Sequence, residues 1–252
     1  MFTIDFGSDA REFERAMQTF GRDAKWAAVV ATNKVAGMVK DRLTAELPSI
    51  FDRPTPFTMR SMFVRRASMA KLFAEVGFKD FAAKGTPATK YLRPQVDGGA
   101  RRTKRFERLL QTAGILPSGW FAMPGDNAEL DAFGNMSRGQ LTKALSHIRS
   151  FAADRGQNRS QTRKSRGKRR KEQYFAAKPG NPGLAPGIYK RAGAKGRDAQ
   201  PVLFFVRKAP TYRKRFPFDR ITAAVVKQHL APEFRTALEQ AVATSRAKGY
   251  RR

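Results

Sequence analysis

The sequence predicts an α+β fold in which an antiparallel sheet packs with a long N-terminal helix and a C-terminal helix, with extended basic arms outside that core. Three observations predict it. Apolar residues recur at steps of three and four over Phe13, Met17, Phe20, Ala24, Ala27, Ala31, Val35 and Met38, and again over Ile221, Val225, Leu230, Phe234, Leu238 and Val242. Between these stripes lie short apolar runs of strand type, clearest in VLFFVR at 202–207. The order helix, strands, two helices, basic arm, strands, helix is that of an antiparallel α+β chain and not of repeated βαβ units.

Residues 2–6, FTIDF, alternate apolar and polar and predict a short strand. Ser8 and Asp9 offer N-cap oxygens to a helix over about 9–46. Gly21 and Gly37 weaken or bend that helix and Pro48 ends it. At 1.5 Å per residue it would be roughly 55 Å long, so its stripe needs a long partner, either a sheet or a neighbouring subunit. Pro54-Thr55-Pro56 is a turn, after which 57–66 and 69–79 predict two antiparallel strands joined at Arg65–Ser68. Met69, Leu72, Phe73 and Val76 also fit a turn of helix.

Asp97-Gly98-Gly99 predicts a second turn, and ARRTKRFERLLQTAGIL a helix whose apolar face is Phe106, Leu109, Leu110 and Ala113. Gly114 is its stop. Residues 117–139 form a Gly/Pro/Asn-rich loop that exposes Trp120 and Phe121, and Ser137 caps the next helix, buried through Leu141, Ala144, Leu145, Ile148 and Phe151. Short strands follow at Tyr174–Ala177 and Ile188–Arg191, then the strand at 202–207 and a final helix over about 219–246, kinked or restarted at Pro232. The predicted organisation is a helix–strand–helix region over 1–154, a basic Gly/Pro-rich arm or linker over 155–187, and a strand–helix region over 188–252, which either stands alone or joins 1–80 in one domain.

Fifty Lys and Arg against 21 Asp and Glu leave a formal charge of +29. A compact body with that surplus repels itself, so a polyanion or an acidic partner is expected to neutralise it. Twenty Phe residues argue that a packed core or interface exists beside the charge. With no cysteine, disulfides, thiolate catalysis and Cys-based zinc sites are excluded. The N-terminal MFTIDFGSDAREF carries early acids and no long apolar run, which argues against a signal peptide. No window of about 18 uncharged apolar residues predicts a bilayer span.

Enzyme signatures are thin, and no catalytic, cofactor-binding or metal-binding residue is expected. His147 and His229 each fall in a helical pattern without a second ligand at metal spacing, so both are expected to be structural or surface residues. Ser137 in GNMSRG lacks the spacing of a nucleophile elbow. GAKGR at 193–197 lacks the spacing of a phosphate-cradling loop and suits a hairpin turn. Asp126, Glu129 and Asp131 form the local acidic cluster, but they lie in a loop, where capping and charge balance suit them better than metal catalysis.

The strongest binding candidate is the segment RGQNRSQTRKSRGKRRK at 155–171. Its nine cations are Arg155, Arg159, Arg163, Lys164, Arg166, Lys168, Arg169, Arg170 and Lys171, with no acid and no apolar residue among them. Such a segment is extended or disordered until a partner orders it. Arg outnumbers Lys six to three, which favours bidentate contacts to phosphate or carboxylate over simple solubility. No aromatic interleaves it, so stacking on single strands is not expected there. A second basic run, from Arg207 to Arg215, is interleaved with Tyr212, and Phe216 and Phe218 follow it; these aromatics suit anchoring of the final helix better than base stacking. Duplex DNA carries one charge per roughly 1.7 Å, so six copies of this chain would match about 300 Å of duplex. Most of the surplus is therefore expected to face protein or solvent ions.

Three stretches resemble the phage minor tail protein Z and related tail-completion proteins: ATNKVAGMVKDRLTAELPSIFD in the early helix, the strand-like RSMFVRRA after it, and PTYRKRFPFDRITAAVVKQHLAPEFRTALEQAV following an apolar strand. The resemblance covers about the first 80 and last 50 residues. The middle, GGARRTKRFERLLQTAGIL and LDAFGNMSRGQLTKALSHIRSF, looks like phage virion protein of no named chemistry, and about 90–150 departs from the shorter family members. The resemblance implies a non-enzymatic structural protein of the virion, made in the host cytoplasm, that completes the tail and joins it to the head beside the DNA channel. Its partners would be other tail, neck and portal-associated proteins and further copies of itself in a ring, with the basic arm facing packaged DNA or an acidic neighbour and no membrane involved. The alternative is a free basic nucleic-acid-binding protein.

Overall fold

A computed structural model describes residues 1–5, 10–83, 85–148, 173–192 and 198–247. The fold is α+β, with seven helices and nine strands among these residues and antiparallel pairing throughout. Two compact units share it: unit 1 comprises Met1–Gly98 and Arg213–Arg252, and unit 2 comprises Gly99–Tyr212. The chain divides at residues 98/99 and 212/213, with the final helix in one unit with the N-terminal residues and both sides of the basic segment in the other. The reason is strand pairing, since the strands on either side of residues 155–171 belong to one sheet.

In unit 1 the long N-terminal pattern forms two helices, α1 (Ala10–Phe20) and α2 (Arg22–Ile50), separated at Gly21, whose φ of +48° suits glycine. Pro48 does not end α2 as expected. It lies in the last turn, and the helix closes one turn later through Phe51 N–H donating to the Leu47 carbonyl at 3.0 Å. The partner of the long stripe is the final helix, α7 (Phe218–Ala247). Lys34 pairs with Glu233 at 2.6 Å and Ser245 donates to Asp23 at 2.7 Å, so the two helices run antiparallel. Ala24, Ala27, Ala28, Ala31 and Ala36 are fully buried on α2, and such small side chains permit close approach. Pro232 lies within α7 without terminating it.

The sheet of unit 1 has the order β1-β3-β2, with β1 at Phe2–Ile4, β2 at Met62–Arg65 and β3 at Ala74–Phe78. The hairpin expected from 57–66 and 69–79 is present but shorter. Residues Pro56–Met59 form a single helical turn, α3, because Thr55 Oγ1 accepts from Thr58 N–H at 3.2 Å with Pro56 in first position. Asn33 of α2 clamps the hairpin corner: its side chain donates to the Ala67 carbonyl at 3.1 Å and accepts from Ala67 N–H at 2.8 Å. Helix α4 (Thr89–Asp97) precedes the crossing into unit 2. Phe216 and Phe218 are buried against Phe78 with ring centroids 5.9 and 5.2 Å from it, so these two aromatics anchor the final helix.

Unit 2 opens and closes on one short ladder, β4 (Gly99–Ala100) paired with β9 (Thr211–Tyr212). Its main sheet has the order β5-β8-β7-β6: β5 is Phe121–Pro124, β6 Tyr174–Ala177, β7 Gly187–Ala192 and β8 Asp198–Val206. Helix α5 (Arg105–Thr112) begins later than the basic run suggested and stops before Gly114 at φ +64°. Helix α6 (Arg138–His147) has the expected cap, Ser137 Oγ accepting from Gln140 N–H. Phe121, expected in an exposed loop, is buried on edge strand β5, where its backbone pairs opposite Val206. Pro201 cannot donate to the ladder, and the β7–β8 register shifts beside it, between Ile188 and Tyr189. No helix among the described residues is long and apolar enough to cross a membrane.

Candidate cationic interface

The nine arm residues, Arg155, Arg159, Arg163, Lys164, Arg166, Lys168, Arg169, Arg170 and Lys171, lie outside the described residues, as do Phe151 and residues 193–197. The described part of unit 2 carries cations of its own, and they are built onto a buried carboxylate. Glu107 is completely buried at the start of α5. It accepts from both guanidinium nitrogens of Arg101, one at 3.1 Å, from Lys104 N–H at 2.6 Å and from Ala122 N–H at 2.8 Å. One side chain therefore gathers the segment leaving β4, the first turn of α5 and strand β5. Burial alone would raise the Glu107 carboxyl pKa. The Arg101 hydrogen bond and the two backbone N–H donors outweigh burial and hold it below the ordinary carboxylate range. Burial also lowers the Lys104 ammonium pKa, with Arg101 adding to the effect and Glu107 opposing it.

The same arrangement brings the two basic runs together. Arg101 N–H donates to the Pro210 carbonyl at 2.8 Å, and its guanidinium lies 5.1 Å from the Phe121 ring centre. The pairing of Phe121 with Val206 sets the neighbouring Trp120 against Arg207, whose guanidinium lies 5.1 Å from the indole. In the same unit Arg102, Arg108, Arg207 and Lys208 are exposed and have no carboxylate partner among the described residues. Exposed guanidinium groups in this setting can take phosphate or carboxylate oxygens, singly or two at a time.

The acidic cluster is organised differently. Asp131 Oδ1 accepts from the N–H groups of Phe133 and Asn135, both at 2.9 Å, and so fixes its own loop. The Gln140 amide accepts from Glu129 N–H at 2.8 Å and donates to the Asn127 carbonyl at 3.0 Å, which ties the loop to α6. His147 meets the Lys143 carbonyl through Nδ1 at 2.8 Å and packs near Tyr174. His229 borders an open groove of about 730 Å³ between α2 and α7 in unit 1. Among the described residues no three His, Asp or Glu side chains come together as a metal-binding group.

Two features escaped sequence reasoning. The convergence of the basic runs depends on the β5–β8 register, and β5 carries Gly and Pro neighbours that mask its strand character. The Arg101–Glu107 pair had a signal that was available, an acid at the third helical position behind four cations, where capping chemistry is expected. No family model, no curated protein and no solved structure matches this chain.

Proposed function

We propose that the chain is a non-enzymatic structural subunit of a phage tail or neck that completes the tail and joins it to the head near the DNA channel. The observation that carries this reading is the set of exposed cations in unit 2. There Arg102, Arg108, Arg207 and Lys208 stand exposed without carboxylate partners among the described residues, in the same unit as the buried Arg101–Glu107 pair. Exposed, unpaired cations of this kind, added to a surplus of +29, suit a protein neutralised by an assembled, anionic surrounding. The resemblance of the first 80 and last 50 residues to tail-completion proteins supplies the setting. Residues Arg155 to Lys171 would add an arm that meets DNA or an acidic neighbour, and self-assembly into a ring would supply the joint.

The test is made on particles. Mass spectrometry of purified phage is expected to find the chain, and particles grown without it are expected to appear as separate heads and tails by negative-stain microscopy. Complete, infectious particles lacking the chain would overturn the proposal. Free nucleic-acid binding is the second reading, favoured by the stack of Arg207 on Trp120. It requires the isolated chain to bind duplex DNA with log affinity falling by roughly 0.9 per engaged phosphate as log salt rises.

A further inference from the structure

The groove of unit 1 is lined by the apolar Met38, Ile221, Ala224 and Val225 and by two cations, Arg220 and Arg42, the latter also 3.4 Å from Glu46 in its own helix. Its volume, about 730 Å³, is that of a site that takes several side chains. Phosphate would find two cations there but would bury against hydrocarbon, which disfavours a nucleic acid as occupant. An occupant that fits carries apolar side chains with carboxylates beside them.

This chain presents such a segment in unit 2. Between Arg108 and Arg138 there is no Lys or Arg, an interval out of character for a sequence with 50 of them. Within it the loop over 125–137 offers Leu130 and Phe133, 54% and 39% exposed, flanked by Asp126 and Glu129. The loop is built in advance. Leu130 bridges to Met136, Asp131 N–H donates to the Asn135 carbonyl at 2.8 Å, and Ser137 N–H donates to the Glu129 carbonyl at 2.7 Å. A pre-ordered loop loses little conformational freedom when it docks.

From this complementarity of charge and of apolar surface we propose that the 125–137 loop of one copy seats in the α2–α7 groove of a second copy, with Leu130 and Phe133 on the apolar floor and Asp126 and Glu129 against Arg42 and Arg220. The contact is heterologous, loop to groove, so a joined pair keeps one free groove on one copy and one free loop on the other. Contacts of that kind close into rings or propagate as filaments. The inference extends the reading of the chain as an assembly subunit.

The experiment uses the full chain and sedimentation equilibrium. Wild type is expected to self-associate with concentration, and Leu130→Asp and Ala224→Asp, both at exposed positions, are each expected to weaken association about tenfold or more. Mixing the two variants is expected to yield one-to-one pairs, because each supplies the half the other lacks. A photo-crosslinking residue at 133 is expected to capture a peptide containing residues 220–229 of another copy. A wild-type chain that stays monomeric even at about 100 µM, association untouched by either variant, or a crosslink to a different protein overturns the interface. Self-association through these residues by a chain absent from particles supports the interface while defeating the proposed role, so the two claims fail separately.

Discussion

Removing the Glu107 carboxylate leaves the Arg101 guanidinium buried without its partner, together with two unanswered N–H groups at Lys104 and Ala122. Breaking a buried pair in this way costs about 3–5 kcal/mol, so Glu107→Ala is expected to lower the stability of unit 2 by that order. Trp120 reports the change in a Trp26→Phe background, since the chain has two tryptophans and Trp26 belongs to α2 of unit 1. Because the folded-state pKa of Glu107 is depressed, its contribution is fully present above the ordinary carboxylate range of the unfolded chain. It is lost as pH falls through the lowered folded value. Denaturant titrations at descending pH are expected to show wild type losing stability across that window, with Glu107→Gln changing less there. A wild type that is flat across the window would refute the assignment. Single residues such as this were only partly legible in the sequence. The spacing of Lys104 and Glu107 announces a helix start, whereas the burial of Arg101 depends on strands distant in the chain.

Helical elements were the most legible. A stripe repeating over more than twenty residues identifies α2 and α7 wherever they pack, and Ser137 announces α6 through cap chemistry. The strands at Tyr174–Ala177 and 202–206 were also legible, from β-branched and aromatic runs. Residues 56–59 misled because the sequence after Pro56 is apolar enough for a strand, while Thr55 and Pro56 together favour a helical turn. Helix α4 carries Pro94 and few apolar residues, so its periodicity is weak. Edge strand β5 could be recognised only through its partner β8. At this scale one position of the main sheet has no room for a side chain. A Cβ added at Gly187 would overlap the Leu203 carbonyl oxygen across the β7–β8 ladder. Gly187→Ala is therefore expected to destabilise unit 2 by about 1–3 kcal/mol, the range for overpacking, with faster amide exchange along β7 and β8. Unchanged exchange in those strands would show that the sheet accommodates the methyl group.

At the scale of the molecule, the order of elements revealed the fold class but not the division, because a boundary drawn at the most polar segment ignores which strands pair across it. The two charge runs were legible, but the ladder and the Arg101–Pro210 hydrogen bond that join them were not. The ladder of β4 with β9 has a consequence for how such a protein is put together. Gly99 lies opposite Tyr212, and directly opposed Cα atoms stand about 4.5–5.5 Å apart. The whole interval from 99 to 212 thus begins and ends at one spot, like a cassette held by a single clip. Splicing Gly98 to Arg213 through a short turn is expected to leave a chain with the helical circular-dichroism signature of α2 and α7 and a cooperative melt. Loss of that signature would show that the remainder depends on the cassette. If it survives, the cassette is exchangeable: genomes could trade or discard it without redesigning its host.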